Sequence, residues 1–297
     1  MRTIISASRR TDIPAFYTPW FMNRIRAAFC CVANPFNPTQ VSTVSLRPED
    51  IGAIVFWTRN ARPLLDHLDE LNERGYSYYF HYTITGYPRV LEPSTPSIGQ
   101  SLRTFAELAE KVGPDRVIWR YDPLLISNVT DFDFHAENFA RLASALKAMT
   151  RRVVVGTLDE YRAAMARLRS LGRFGLELTP NPQTLPHFDR LVSHFVSCAR
   201  GHQLEIVSCA DHGALLRCGI PPGKCVDDAL VARLLGVEVS HARDKGQRKH
   251  CRCVESKDIG AYDTCLHACR YCYASQRVAL SLRHPVRHDP DSPLLSR

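Results

Sequence analysis

The pattern that most limits what this chain can fold into is a repeated unit: an apolar run with strand character, a polar cluster, then a stretch with helical spacing. Thr3 to Ser8 leads into Arg9-Arg10-Thr11-Asp12 and a helix through Trp20 and Ile25. Ala53 to Trp57 leads into Thr58-Arg59-Asn60, then a helix with Leu64, Leu65, Leu68 and Leu71 at core spacing. Tyr78 to Thr85 precedes Gly86-Tyr87-Pro88, and Val117 to Trp119 precedes Arg120-Tyr121-Asp122-Pro123. Arg152 to Gly156 and Leu204 to Ser208 are the last two such runs, and the second ends on Cys209. Helical spacing recurs at Leu102/Phe105/Leu108 and at Phe139/Leu142/Leu146. Strands that alternate with helices pair in parallel through right-handed crossovers. The class is therefore α/β, and the expected architecture is a partial or complete (β/α) TIM-like barrel. An open doubly wound sheet is the alternative, because closure is not written in a sequence.

In a barrel the loops that follow the strands open at one mouth. The polar residues expected to converge there are Arg9, Arg10, Asp12, Asn60, Thr83, Thr85, Arg120, Asp122 and Cys209. Of these, Arg9, Arg10, Asp12, Arg120 and Asp122 are the candidates for catalysis or substrate anchoring; the bland reading is that they are ion pairs fixing loops. His81, His135 and His212 read as structural, and Trp57 and Trp119 as core. Residues 1–236 are expected to form the barrel-like domain. Residues 237–282 form a cysteine-rich segment packed over its mouth, and 283–297 a surface tail. Cys31 to Leu46 looks like an irregular or hairpin insertion.

The 297 residues are 45% apolar, enough for a sizeable core. No apolar run is long enough to cross a bilayer. The start of the chain reads as a strand and not as a secretory leader, so the expected location is cytoplasmic, with no membrane partner. Eleven cysteines in a reducing compartment favour metal binding or catalysis over disulfides. The net charge of +8 suits an anionic substrate and also admits nucleic acid. No P-loop, Gly-x-Gly-x-x-Gly, His-Glu-x-x-His or Gly-x-Ser-x-Gly is present.

Two groups of cysteines carry the chemistry. Cys265-Leu-His-Ala-Cys269-Arg-Tyr-Cys272 spaces three thiols to suit a [4Fe–4S] cluster with one iron left open for a small molecule. Zinc is the alternative, with His267 inside the loop as a further donor. The second group is Cys209, Cys225, Cys251 and Cys253. Four thiols suffice for a second iron–sulfur cluster or a structural zinc, and buried free cysteines are the bland reading. Cys30, Cys31, Cys198 and Cys218 receive no role.

The Cys-x3-Cys-x-aromatic-Cys motif is similar to the cluster motif of radical S-adenosylmethionine (SAM) enzymes. The whole chain resembles a bacterial family catalogued as domain of unknown function 1848. The matching stretches run from Ile5 to Phe16, Ile54 to Asn60, Thr83 to Pro88, Val117 to Pro123, and Cys251 to Ala274. Parts of the family look like the spore photoproduct lyase branch of radical SAM proteins. The resemblance implies that Cys265, Cys269 and Cys272 hold the cluster, that its open iron chelates SAM, and that Tyr271 lies against the adenine. It implies a 5′-deoxyadenosyl radical that abstracts hydrogen from an unknown substrate, and an electron donor such as flavodoxin or ferredoxin. No Gly-Gly-Glu-like stretch follows an early strand, so SAM's amino group is expected to be held by Asp122, Thr83, Thr85 or Asn60, and its carboxylate by Arg120. The cluster loop comes after all the strands and is expected to fold back over the mouth. The rival function is a non-catalytic nucleic-acid-binding protein with structural zinc or iron–sulfur sites; an electron-transfer protein is a third.

Overall fold

The computed structural model describes residues 1–275 and 288–296. The chain starts with β1 (Thr3–Ala7), α1 (Ile13–Phe16) and α2 (Thr18–Ala27), followed by β2 (Phe29–Asn34), β3 (Asn37–Ser45) and β4 (Ile51–Thr58). Then come α3 (Arg62–Leu65), α4 (Leu68–Glu73), β5 (Tyr78–Thr83), α5 (Ile98–Val112), β6 (Val117–Leu124) and α6 (Phe132–Leu146). The remainder is β7 (Arg152–Thr157), α7 (Arg162–Ser170), α8 (Pro186–Gly201), β8 (Glu205–Ser208), α9 (Ala214–Arg217), α10 (Asp228–Leu235) and β9 (Lys257–Asp258).

Each apolar run became a strand, and the class is α/β. The main sheet has seven strands in the order β8-β7-β6-β5-β4-β1-β9, all parallel. From β1 to β8 the order follows the chain without the reversal that defines a doubly wound sheet. The sheet is nevertheless open, with β8 and β9 as its edges. The complete barrel is thus corrected: β8 is continued only by an isolated bridge, Ser208 to Pro222, and β9 is two residues long. Cys31 to Leu46 lies within an antiparallel hairpin, β2–β3. The single helix expected through Leu64 to Leu71 breaks into α3 and α4 around Asp66 and His67, both weak helix formers.

Alternation along the strands sends side chains to two different cores. On one face Ile5, Phe56, Phe80, Trp119 and Val155 pack with helix residues such as Phe21, Phe105, Phe139 and Phe195. On the other, Ile4, Val55, Tyr79, Ile118, Val154 and Val207 pack against chain from 225 to 254. The cysteine-rich segment therefore shares a core with the sheet. Of the expected surface tail, residues 288–296 are docked: Trp20 Nε1 donates to Ser292 O at 2.9 Å, Cys31 N to Pro293 O at 2.8 Å, and Leu295 is buried. Residues 283–287 and 297 of that tail lie outside the described residues, as do 276–282 of the cysteine-rich segment. Among the described residues no helix is long and apolar enough to cross a membrane.

His135 fills the structural role expected of it. It is fully buried, with Nε2 2.9 Å from Leu125 O and Nδ1 2.8 Å from Tyr121 Oη. Both contacts suit a neutral ring that donates from Nε2 and accepts at Nδ1. Burial pushes its pKa from 6.5 down to about 4. The unfolded chain then binds more protons than the native one across that window. His135 stabilises the fold fully above pH 6.5, and this is lost as pH falls, by roughly 1.4 kcal/mol per unit. Urea midpoints are expected to decline below pH 6.5, and less steeply in His135→Gln; parallel profiles would refute the assignment.

Candidate functional site

The triad loop is held over the ends of β1, β4 and β5 by groups from the first hundred residues and by Arg167. Asp12, at the start of α1, accepts from Ala15 N (3.0 Å) and Arg59 N (2.7 Å) and pairs with His267 Nε2 at 2.8 Å. It is a buried junction between two strand ends and the cysteine loop. Tyr17 Oη donates to Thr264 O at 2.5 Å, and Arg270 N donates to Leu91 O at 2.9 Å. Arg167 reaches the other side, donating to the carbonyls of Arg270 (3.1 Å) and Cys272. Ala268 takes the left-handed conformation (φ 59°), which turns the loop between Cys265 and Cys269. Cys265 and Cys269 are pushed up, by burial first; Cys269 reaches about 12, and Cys272, Asp12 and Cys269 all act on Cys265. Burial thus keeps Cys265 and Cys269 as neutral thiols unless a cation joins them.

Next to this loop lies a cavity of about 230 Å³ lined by Arg59, Thr83, Thr85, Tyr87 and Glu92, among others. Arg59 Nη1 is 3.0 Å from Glu92 Oε1, and Arg59 Nη2 donates to Tyr271 Oη at 2.5 Å. Thr85 Oγ1 (2.5 Å) and Tyr271 Oη also donate to Glu92. Burial works against the Arg59 charge, but Glu92, Tyr271, Cys269 and Cys265 together push its pKa well up. One wall of the cavity thus carries a fixed cation and a carboxylate, joined by the tyrosine of the cysteine motif. Thr83 and Thr85 come to this wall as the sequence placed them. Asn60 does not line it: its side chain accepts from Arg62 N at 3.2 Å, in the turn before α3.

The remaining candidates face the other core. Trp57, expected in the core, is half-buried: it stacks on His81 (4.5 Å between centroids) beneath the guanidinium groups of Arg9 (5.3 Å) and Arg120 (5.1 Å). His81 is buried and held neutral, its pKa lowered to about 3 by burial and then by Arg120. Arg120 donates to Cys225 Sγ at 2.9 Å and pairs with Asp122, so neither lines the cavity beside the triad. Asp122 fits only because residue 156 is glycine; a Cβ there would lie 2.3 Å from its Oδ1. Arg9 N donates to Asp258 at 2.8 Å, and Arg10 lies over the Tyr262 ring at 5.3 Å. Cys209 and Cys225 touch at 3.6 Å, and Cys253 accepts from the amides of Cys225 and Val226, each at 3.3 Å. Among the described residues, no group of three or more His, Cys, Asp or Glu already stands as a metal-ligand set.

The sequence reading missed Arg59 and Glu92. Arg59 was visible as a polar strand-end residue, whereas Glu92 sits in an irregular segment with no pattern to mark it.

No curated protein matches the chain. Among solved structures, two of the pneumococcal exo-β-D-N-acetylglucosaminidase StrH are similar at 10% and 9% identity, each with a TM-score of 0.27. They cover 70% and 71% of this chain, which in turn spans 53% of each of theirs, and a likeness that slight carries no argument. Residues 4–274 match the family described as Domain of unknown function (DUF1848), and the chain belongs to that family.

Proposed function

We propose that the protein is a radical SAM enzyme whose cluster is held by Cys265, Cys269 and Cys272. The observation that carries this reading is the Arg59–Glu92 pair in the cavity wall, tied through Tyr271 to the cysteine loop. SAM has an ammonium and a carboxylate on one carbon. Glu92 suits the first and Arg59 the second, where a planar fork matches a carboxylate. The hydroxyls of Thr83 and Thr85 add neutral partners. Arg59 thus takes the place expected of Arg120 as the partner of SAM's carboxylate. When bound, a [4Fe–4S] cluster with SAM supplies hydrogen-atom abstraction by a 5′-deoxyadenosyl radical.

The chain's own part is to bind, orient and exclude water. Asp12 and His267 fix the loop from below, and Arg167 fixes it from the side. Tyr271, whose phenol is pushed well up by burial, stays neutral and donates its hydroxyl hydrogen bond to the Glu92 carboxylate. Under the same reading the open sheet is an incomplete (β/α) barrel, and a flavodoxin- or ferredoxin-type donor supplies the electron.

Anaerobic reconstitution is the test. A reduced sample is expected to give a [4Fe–4S] paramagnetic signal that changes when SAM is added, with release of 5′-deoxyadenosine. A spectrum indifferent to SAM and no nucleoside product would reject the reading. Zinc at the triad with salt-sensitive binding to DNA or RNA would support the rival function instead.

A further inference from the structure

We propose that Cys209, Cys225, Cys251 and Cys253 form a second, closed metal centre of four thiolates that bridges the two open edges of the sheet. It stands independently of the radical SAM reading, because none of these residues belongs to the triad loop or its cavity.

The four cysteines lie close together. Cys209 and Cys225 sulfurs are 3.6 Å apart, Cys253 Sγ accepts from the Cys225 amide at 3.3 Å, and Cys251, two residues before Cys253, is buried with it. All four are free, and 3.6 Å is far beyond a disulfide bond of about 2.05 Å. A tetrahedral metal with ligands at about 2.3 Å places its sulfurs roughly 3.8 Å from one another, close to the Cys209–Cys225 separation. The four are not yet converged as a ligand set, so completion by metal is the step to be tested.

Their surroundings suit anionic sulfur. Arg120 donates to Cys225 Sγ at 2.9 Å and Arg248 to Cys209 Sγ at 3.4 Å. Cys253 Sγ takes two backbone N–H groups. Arg9 lies on the Cys253 side, and its buried Nη2 has no hydrogen-bond partner among the described residues. Each arginine also has a carboxylate: Asp122 for Arg120, Asp159 for Arg248, and Asp244, at 3.9 Å, for Arg9. Neutral thiols accept such hydrogen bonds only weakly, and four bare thiolates would repel one another. A divalent cation with four thiolates leaves a net charge of about −2, which such donors offset.

The ligands come from three places. Cys209 follows edge strand β8, Cys225 ends the turn whose Gly223 N donates to Ser208 O at 2.9 Å, and Cys251 and Cys253 precede edge strand β9. Four protein ligands leave no open position, so this centre holds structure where the sheet's hydrogen bonds stop.

The test uses the full chain with Cys265, Cys269 and Cys272 all changed to alanine, grown with zinc and iron and purified anaerobically. About one zinc, or about four irons with sulfide, is expected per chain, with four sulfurs around each metal in X-ray absorption. Visible charge-transfer absorption distinguishes the cluster from zinc. Adding Cys251→Ser and Cys253→Ser is expected to bring the metal below about a tenth of an equivalent, since two ligands of four are gone. A folded triad-free chain without metal, or metal that survives both serines, overturns the proposal. In the unmutated protein, alkylation of these four cysteines is expected only after a chelator is added; labelling that ignores the chelator also overturns it.

Discussion

Replacing Asp258 by alanine is expected to lower the free energy of unfolding by about 3–5 kcal/mol, the range for removing one partner of a buried charged network. The carboxylate accepts from Ser6 Oγ (2.9 Å), Ser8 Oγ (2.7 Å), Arg9 N (2.8 Å) and Gly260 N (3.0 Å), and Arg10 Nε lies 4.0 Å away. Alanine leaves these donors without their acceptor. The ladder cannot compensate, because β9 pairs with β1 at only two positions, Ile5 with Lys257 and Ser6 with Asp258. Close approach is also built in: a Cβ on residue 260 would lie 2.6 Å from Ser8 Cβ, so only glycine lets the segment settle there. The triad follows this anchor by seven residues, so iron retention is expected to fall together with stability. Asp258→Asn keeps an acceptor and is expected to recover part of both. Denaturant titration at constant m-value reads the first effect and iron analysis the second. A loss below about 1 kcal/mol would show that β1 holds the segment without the carboxylate.

The second large effect is expected at Glu92. Glu92→Gln should weaken SAM binding by about 10- to 100-fold, because a charge-assisted hydrogen bond is worth about 1.5–3 kcal/mol and 1.4 kcal/mol is tenfold. Iron at the triad should remain, since Glu92 is not a thiol and touches the loop only through Tyr271 and Arg59. Glutamine still accepts from Thr85 and Tyr271, so the cavity wall keeps its shape while losing its charge. Calorimetric titration of SAM into the reconstituted protein gives the ratio. Unchanged affinity would remove Glu92 from the proposed site, and lost iron would recast it as a residue that positions the cysteine loop.

Much of the scaffold was legible in the sequence. Strand-forming runs such as Ile54 to Trp57 and Val153 to Val155 are apolar on both faces because both faces are buried, one by helices and one by the C-terminal segment. The polar residues after them did gather at the strand ends, as Arg9, Asp12, Arg120 and Cys209 show. Their division between two sites was not legible. Arg120 and Thr83 are paired on neighbouring strands, yet Arg120 donates to Cys225 and Thr83 lines the cavity with Glu92. Glu92 was hidden because its partner, Tyr271, is 179 residues away and neither position has a periodic context. Trp57 misled in the opposite way: an aromatic in an apolar run looks like core, but here it is the surface on which two arginines rest. The edge strand β9 was illegible for a simpler reason, since Lys257 and Asp258 have no strand-like composition at all.

The late arrival of β9 has a consequence for how the protein is made. Synthesis proceeds from the N-terminus, and folded units form as they emerge from the ribosome. Asp12, Arg59 and Glu92 are therefore made long before the cysteine loop that docks on them. Without β9, β1 would be an uncovered parallel edge, the kind of strand that invites another chain to pair with it. The two residues of β9 and the Asp258 carboxylate end that exposure in a single docking event, and the same event delivers the triad to its receptacle. Protection from mispairing and placement of the triad loop thus begin at one moment in the life of the chain.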